Sequence, residues 1–275
     1  MRGSSSDARI APVPFSERRA APLILGTIGV LVTLVVLELI SRVGIVPSQY
    51  VPPVSDVIRT TFNQLPNSSF WQPIWQTIQS WGIGLAIAAG IGIPLGLAIG
   101  SSELLWHALR PTIEFLRPIP SISFIPITIL VLGNGLKGNV FLTAFGALWP
   151  LLIQTIYGVR EIDSVARDTL RSFHIGRLAR IRALIFPSAL PFIATGMRIA
   201  SAIALIVTVT SELVIGTPGI GNALELAQNG GNFQLMYAFV LAAGLLGLAI
   251  HLLFSRVERR ALRSHPSQRA RESFS

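Results

Sequence analysis

From residue 77 to residue 100 the chain reads TIQSWGIGLAIAAGIGIPLGLAIG, without a charged side chain. A backbone crossing about 30 Å of hydrocarbon must satisfy its own N–H and C=O groups, and a helix of roughly 20 apolar residues does so. Comparable apolar blocks lie at about 22–46, 112–133, 139–158, 188–214 and 235–254. The six blocks predict an all-α polytopic membrane protein with six transmembrane helices. Its single membrane domain would cover 22–255, between an N-terminal tail over 1–21 and a basic tail over 256–275. Composition agrees, with 51% apolar residues, 13% charged residues and a mean hydropathy of +0.62. A soluble domain of this size needs more charge to cover its surface.

The first block follows Arg18 and Arg19, as a secretory signal would. It runs well beyond the ~7–15 residues of a signal core and lacks a small-x-small cleavage site, so it reads as a retained span. Residues 1–21 are polar and Pro-containing and are expected to be disordered. The stretch 47–76 is polar, with Phe70, Trp71 and Trp75 suited to a membrane–water boundary, and predicts a short amphipathic helix on the surface.

The net charge of +9 is distributed by topology. With six spans both termini share a side. That side carries Arg2, Arg9, Arg18, Arg19, Arg110, Arg160, Arg167, Arg171, Arg177, Arg180, Arg182 and the arginines of the C-terminal tail. Arg117 and Arg198 fall at span ends on the same side, whereas the other side holds only Arg42, Arg59 and Lys137. The asymmetry places both termini and the 159–187 loop in the cytoplasm. Because the arginines flank apolar blocks rather than interleave with aromatics on one polar face, a nucleic-acid surface is not indicated.

No cysteine is present, and His107, His174, His251 and His265 have no metal-ligand spacing. No Ser/His/Asp or paired-carboxylate constellation points to catalysis by this chain, which reads as a non-enzyme with no cofactor or metal of its own. It also lacks G-x-x-x-x-G-K-[ST], so a nucleotide site must come from elsewhere.

Inside the spans a few residues stand out. Gly92 and Gly96 form a small-xxx-small face for close helix approach. The segment RPIPSISFIP opens the third span as a helix carrying Pro118, Pro120 and Pro126. With Ser121, Ser123 and Thr128 it reads either as simple kinks or as lining of a translocation path. Glu212, near the far end of the fifth span, suits a structural or gating role, and Glu38 a bundle-facing hydrogen-bonding role. Gly216, Gly219 and Gly221 suit a bent, outward-facing segment that acts as a gate.

The loop from Arg160 reads REIDSVARDTLRSFHIGRLARIRALIFPSALP. Ile162, Val165, Ala166, Thr169, Leu170 and Phe173 recur at helical spacing on one face, Gly176 interrupts, and a second helical stretch resumes with Leu178, Ile181 and Ile185. On periodicity alone this helix–turn–helix is equally an amphipathic loop lying at the lipid headgroups.

The segment resembles the Glu-Ala-Ala loop of ABC-importer permeases, in which EAA, a downstream Gly and a closing I-x-L-P recur at fixed spacing. Setting the closing Pro at Pro187 places the Ile position at Leu184, the Gly position at His174 and the triplet at Asp168-Thr169-Leu170, followed by Arg171. Thr169 and Leu170 stand where the pattern has alanines. His174 stands where it has glycine, with Gly176 nearby to supply the turn. The stretches VPPVSDVI, IGIPLGLAIGSS, LRPIPSISFIPITILVLGNG, FPSALPFIATGMRIA, TSELVIGTPGIGNALELAQ and ERRALRSHP resemble permeases of nitrate, sulfonate and taurine importers in order and spacing.

The resemblance implies a type I ABC importer permease fold in a bacterial inner membrane. It also implies a second permease copy, two cytoplasmic ATPase subunits carrying ATP and Mg, and a substrate-binding protein at the outer face. The 159–187 loop would then be the coupling element, with Asp168, Thr169, Leu170, Arg171, His174, Gly176, Leu184 and Pro187 as its motif positions. The path or gate would be served by Pro118, Pro120, Ser121, Ser123, Glu212, Gly219 and Gly221. The implied solute is a small anion of the sulfonate, taurine, nitrate or bicarbonate type. The alternatives are a pyrimidine, riboflavin or other vitamin precursor in the same architecture, or an ion-driven secondary transporter.

Overall fold

A computed structural model describes residues 21–44, 47, 50–173 and 176–262 of the chain. The N-terminal tail expected to be disordered, and most of the basic C-terminal tail, therefore lie outside the described residues. The chain divides into two compact units, one reaching to Thr60 and one starting at Thr61.

The first unit holds α1 (Ala21–Val43) and the opening turns of α2 (Val54–Gln64). Its single intramembrane acid, Glu38, is satisfied locally. Arg42 Nε donates to Oε1 at 2.7 Å, and the N–H and Oγ of Ser55 donate at 3.0 and 2.9 Å. Within 47–76 the expected amphipathic helix is α2, whereas the residues from Ser68 onward already belong to the next helix.

In the second unit α6 (Leu136–Arg160) is the central helix, with α3 (Ser68–Gly100) along one side and α9 (Phe186–Ile215) along another. In lipid, helices associate through close van der Waals packing rather than through the hydrophobic effect. α3 therefore presents glycines where α6 presents β-branched side chains. A Cβ added to Gly96 would stand 2.6 Å from Thr155 Cβ, and one on Gly100 would stand 2.7 Å from Val159 Cβ. Gly92 lies in the same seam against Leu148, while Gly82 and Gly90 face open space. At 33 residues α3 is about 50 Å long, so it outruns the hydrocarbon. α11 (Phe233–Leu262) packs along α9, where Trp81 of α3 meets Phe254 edge-on and donates from Nε1 to the Ser201 carbonyl at 3.0 Å.

The third span departs from expectation. The stretch SSELLWHALR, residues 101–110 between the second and third apolar blocks, is largely helical: α4 (Glu103–Leu116) starts at Ser102, whose Oγ accepts from the Leu105 N–H at 3.4 Å as an N-cap. The predicted helix through Pro118 and Pro120 is broken there. Chain direction changes by 79° into a 3-10 turn at Ser121–Phe124 and then α5 (Ile125–Leu132). Pro118 and Pro120 remove two N–H donors within three positions, so the helical hydrogen-bond ladder cannot run on through them. Among the described residues five helices are long and apolar enough to cross a membrane, or six when this bent pair is one span.

α3 and α6 end together, at the end of the unit that carries residues 161–185. α10 (Ile220–Asn229) lies at the opposite end, where Ile220 packs with Phe70, Ile74 and Phe239.

Candidate coupling loop and translocation path

Among the described residues the two predicted helical stretches of the loop are present, as α7 (Ser164–Ser172) and α8 (Arg177–Arg180). Asp163 starts α7 by accepting the Val165 N–H at 2.9 Å. Asp168 and Thr169 are exposed and Leu170 is half-buried; the Thr169 hydroxyl donates back to the Val165 carbonyl at 2.7 Å. Arg171 lies on α7 by its backbone, whereas its side chain and His174 lie outside the described residues. Gly176 faces open space. The predicted apolar face is only partly covered by its own chain, with Val165 69% and Phe173 74% exposed.

The loop joins α9 through a π-helical turn, Ile181–Ile185, which contains the half-buried Leu184. Pro187 has no N–H to give to residue 183. Instead the Phe186 N–H reaches back five residues to the Ile181 carbonyl, and the wider turn accommodates the proline ring.

At the break of the third span, Pro118, Pro120 and Ser123 are exposed. Ser121 is buried, its Oγ 3.0 Å from where a Cβ on Gly146 of α6 would stand. Beside it Phe124, Phe145 and Trp149 form an edge-to-face run with centroids 5.0 and 5.6 Å apart.

At the far end, Glu212 is fully buried and collects three donors. Thr77 Oγ1 donates to Oε2 at 2.8 Å, the Gly221 N–H to the same oxygen at 3.1 Å, and Asn139 Nδ2 to Oε1 at 3.3 Å. Thr77 Oγ1 in turn accepts the Ile220 N–H at 2.8 Å. The first N–H groups of α10, which no preceding turn can satisfy, are thus capped by side chains of α3 and α9. Asn139 is held by Ser211 Oγ at 2.6 Å, and Thr143 and Thr208 hydroxyls meet at 2.8 Å between α6 and α9. α9 stops because Gly216 adopts a left-handed conformation, φ +75°, with its N–H on the Glu212 carbonyl at 3.0 Å. A Cβ on Gly219 would overlap the Glu212 carboxyl group, and one on Gly221 the Val209 carbonyl, so only glycine lets α10 approach.

Residues 92–263 match the family described as the inner membrane component of binding-protein-dependent transport systems. The chain is 30% identical to the nitrate import permease protein NrtB of Leptolyngbya laminosa over 70% of its own length and 69% of the relative's. It is 28% identical to the taurine transport system permease protein TauC of Escherichia coli, covering 89% and 88%. The chain belongs to this family. Its fold is that of a type I ABC importer permease: a chain of the inward-facing MetNI methionine ABC transporter superposes with a TM-score of 0.63 at 18% identity, covering 72% of this chain and 98% of that one.

The permease does not gather its predicted residues into one site. Asp168, Thr169, Leu170, Gly176, Leu184 and Pro187 lie at one end, Pro118 to Ser123 at the break, and Glu212, Gly219 and Gly221 at the other end. Glu212, Gly219 and Gly221 meet one another across the turn between α9 and α10. The polar residues that complete that end, Thr77, Asn139, Thr143, Thr208 and Ser211, were not anticipated. Their signal is present in the sequence as Asn139 and Thr143 one turn apart, and as Thr208 with Ser211, in otherwise apolar spans. Arg198, expected at a span end, instead sits within α9, where its Nε meets Glu258 Oε2 of α11 at 3.3 Å; Thr195 donates to the other carboxylate oxygen at 2.7 Å.

Proposed function

We propose that this permease imports a small inorganic or organic anion, of the nitrate, bicarbonate, taurine or sulfonate type, at the expense of ATP hydrolysed by a separate subunit. In this reading a substrate-binding protein delivers the solute to the outer face and two permease copies enclose the path. The 159–187 loop docks on the cytoplasmic ATPase. Support for the solute class comes from relatives named for import of nitrate, bicarbonate, taurine and aliphatic sulfonates.

The observation that carries the mechanism is the helix pair α7–α8 between α6 and α9, whose apolar face leaves Val165 and Phe173 exposed. An apolar face at that position suits a groove on a partner. The excess of arginines on the loop side supports a cytoplasmic loop and cytoplasmic termini. Alternating access would follow when closure of the ATPase pair displaces the loop and rocks the permease copies against each other. Glu212, Gly219 and Gly221 would hold α10 as the outer gate, and the break at Pro118–Ser123 would line the path.

The test is uptake in vesicles containing the permease, its ATPase subunit and its binding protein. ATP-dependent accumulation of one of these anions is expected. Accumulation driven by an ion gradient without ATP overturns the reading. Charge reversal at Asp168 or Arg171 is expected to weaken co-purification of the ATPase while membrane insertion is unchanged.

A further inference from the structure

At the loop end, Arg160 is the last residue of α6 and the root from which the loop departs. Its Nη1 donates to Glu103 Oε2 at 3.1 Å, and its guanidinium carbon lies 5.1 Å from the ring centroid of Trp106. Glu103 and Trp106 both belong to α4, the first arm of the broken third span. Arg110 covers the same indole at 5.6 Å and is itself held by Glu114 at 2.7 Å. The indole packs on the apolar cluster of Ile99, Ile113, Ile153 and Ile156.

Glu103 is mostly exposed, and an exposed ion pair alone contributes little. A guanidinium over a tryptophan face is a stronger and better-oriented contact. Here the two act on one arginine, and the ring beneath is fixed by the core.

We propose that Trp106, Glu103 and Arg160 form a positioning clasp that ties the root of the coupling loop to the broken span. The loop has two roots of different character. Its exit runs through the π turn into α9, whereas its entry is fastened sideways to α4. Displacement of the loop is therefore delivered to α4 as well as to α9, and α4 leads directly to the break at Arg117–Pro120. The clasp makes ATP-driven movement of the loop open or close the arm that carries Pro118 and Ser123. It acts by position, without touching solute or nucleotide. This inference rests on the reading of 159–187 as the ATPase-coupling loop.

The test uses the complete transporter in proteoliposomes, with labelled nitrate, bicarbonate or taurine, whichever the wild type accumulates. Solute taken up per ATP hydrolysed is compared for Glu103→Arg, Arg160→Glu, the double exchange, Trp106→Phe and Trp106→Ala. Each single reversal and Trp106→Ala should retain the bound, hydrolysing ATPase but lower the uptake ratio about fivefold. The double exchange should recover most of it, and Trp106→Phe should keep most of it. Glu103→Gln and Trp106→Phe supply milder variants if a charge reversal fails to accumulate in the membrane, with a smaller loss expected in each.

An unchanged uptake ratio in the single variants overturns the clasp. So does loss of the ATPase subunit from them, which would make these residues a docking contact. Asp168→Arg separates the two readings. If it leaves the ATPase attached and uptake intact, the coupling-loop reading itself fails, whatever the clasp variants do.

Discussion

Thr77→Val tests the far-end network with almost no change in side-chain volume. The hydroxyl of Thr77 is fully buried and makes two bonds, donating to Glu212 Oε2 and accepting the Ile220 N–H, each at 2.8 Å. Valine removes both. The Ile220 N–H is left buried without a partner, at about 1–3 kcal/mol, and the bond to the carboxyl group contributes a further 1–2 kcal/mol or so. The sum is roughly 2–5 kcal/mol, which for a unit of this length lowers the midpoint of thermal unfolding by roughly 5–15 °C. The matched control is Thr210→Val, whose hydroxyl only donates back to the Ile206 carbonyl of its own helix at 2.8 Å. That change should stay within about 0.5 kcal/mol. The assay is the fraction of purified protein surviving a temperature series in detergent, read by size-exclusion chromatography. Equal midpoints for the two variants would refute the claim that Thr77 and Glu212 cap α10.

Gly96→Val should destabilise the α3–α6 seam by about 1–3 kcal/mol, because its Cβ would press on Thr155. Gly90→Ala, in open space, should gain up to about 1 kcal/mol of helix propensity; the same heating series compares them, and equal effects would contradict the seam. Glu258→Gln should cost about 1 kcal/mol, because the amide oxygen still accepts from Thr195 while the pairing with Arg198 is lost. Glu258→Leu should cost about 2 kcal/mol, because Thr195 also loses its acceptor while the part-exposed Arg198 turns to solvent. Trp81→Phe should cost about 1 kcal/mol through loss of the bond to the Ser201 carbonyl, with the packing on Phe254 retained.

The spans were legible because lipid imposes a single solution on the backbone, and a charge-free run such as 77–100 states it directly. The glycine seam was legible for a related reason: Gly92 and Gly96 recur at helical spacing, and in lipid small residues are what lets two helices meet. The break at Pro118–Pro120 was half legible. Proline announces that a helix is disturbed, but whether the chain kinks or turns through 79° depends on what neighbouring helices supply to the freed carbonyls. The amphipathic loop was visible in its periodicity, whereas the π turn that follows depends on where Pro187 falls in the helical register.

The network around Glu212 could not be assembled from sequence alone. Thr77 and Glu212 lie 135 positions apart, and nothing local marks one as the other's partner. A buried carboxyl group in an apolar span raises the question of its donors; only the packing of α3, α6, α9 and α10 answers it. Trp106 was hidden differently. It lies between the second and third apolar blocks, and its contact with Arg160 becomes visible only because that stretch is a helix lying beside the end of α6.

The distribution of stiffness along the chain favours a relay over a local site. A helix that carries displacement between two ends must resist bending along its length and yield only at its ends. α9 has that form: hydrogen-bonded or packed partners hold it at Thr195 and Arg198, at Ser201, at Thr208 and at Glu212. Its irregularities lie near its ends, the π turn and Pro191 at one and Gly216 at the other. The third span is built the opposite way, with its irregularity in the middle, where Pro118 and Pro120 separate two short arms. On the proposed coupling role, a displacement entering at the loop would pass along α9, and the yielding in the unit would concentrate at the break. Because Glu212 and Thr77 bind α10 to both α9 and α3, the far end would follow α9 as one piece. Loosening the cap by Thr77→Val should consequently reduce the solute moved per ATP as well as thermal stability, whereas loosening the seam at Gly96 should reduce stability first.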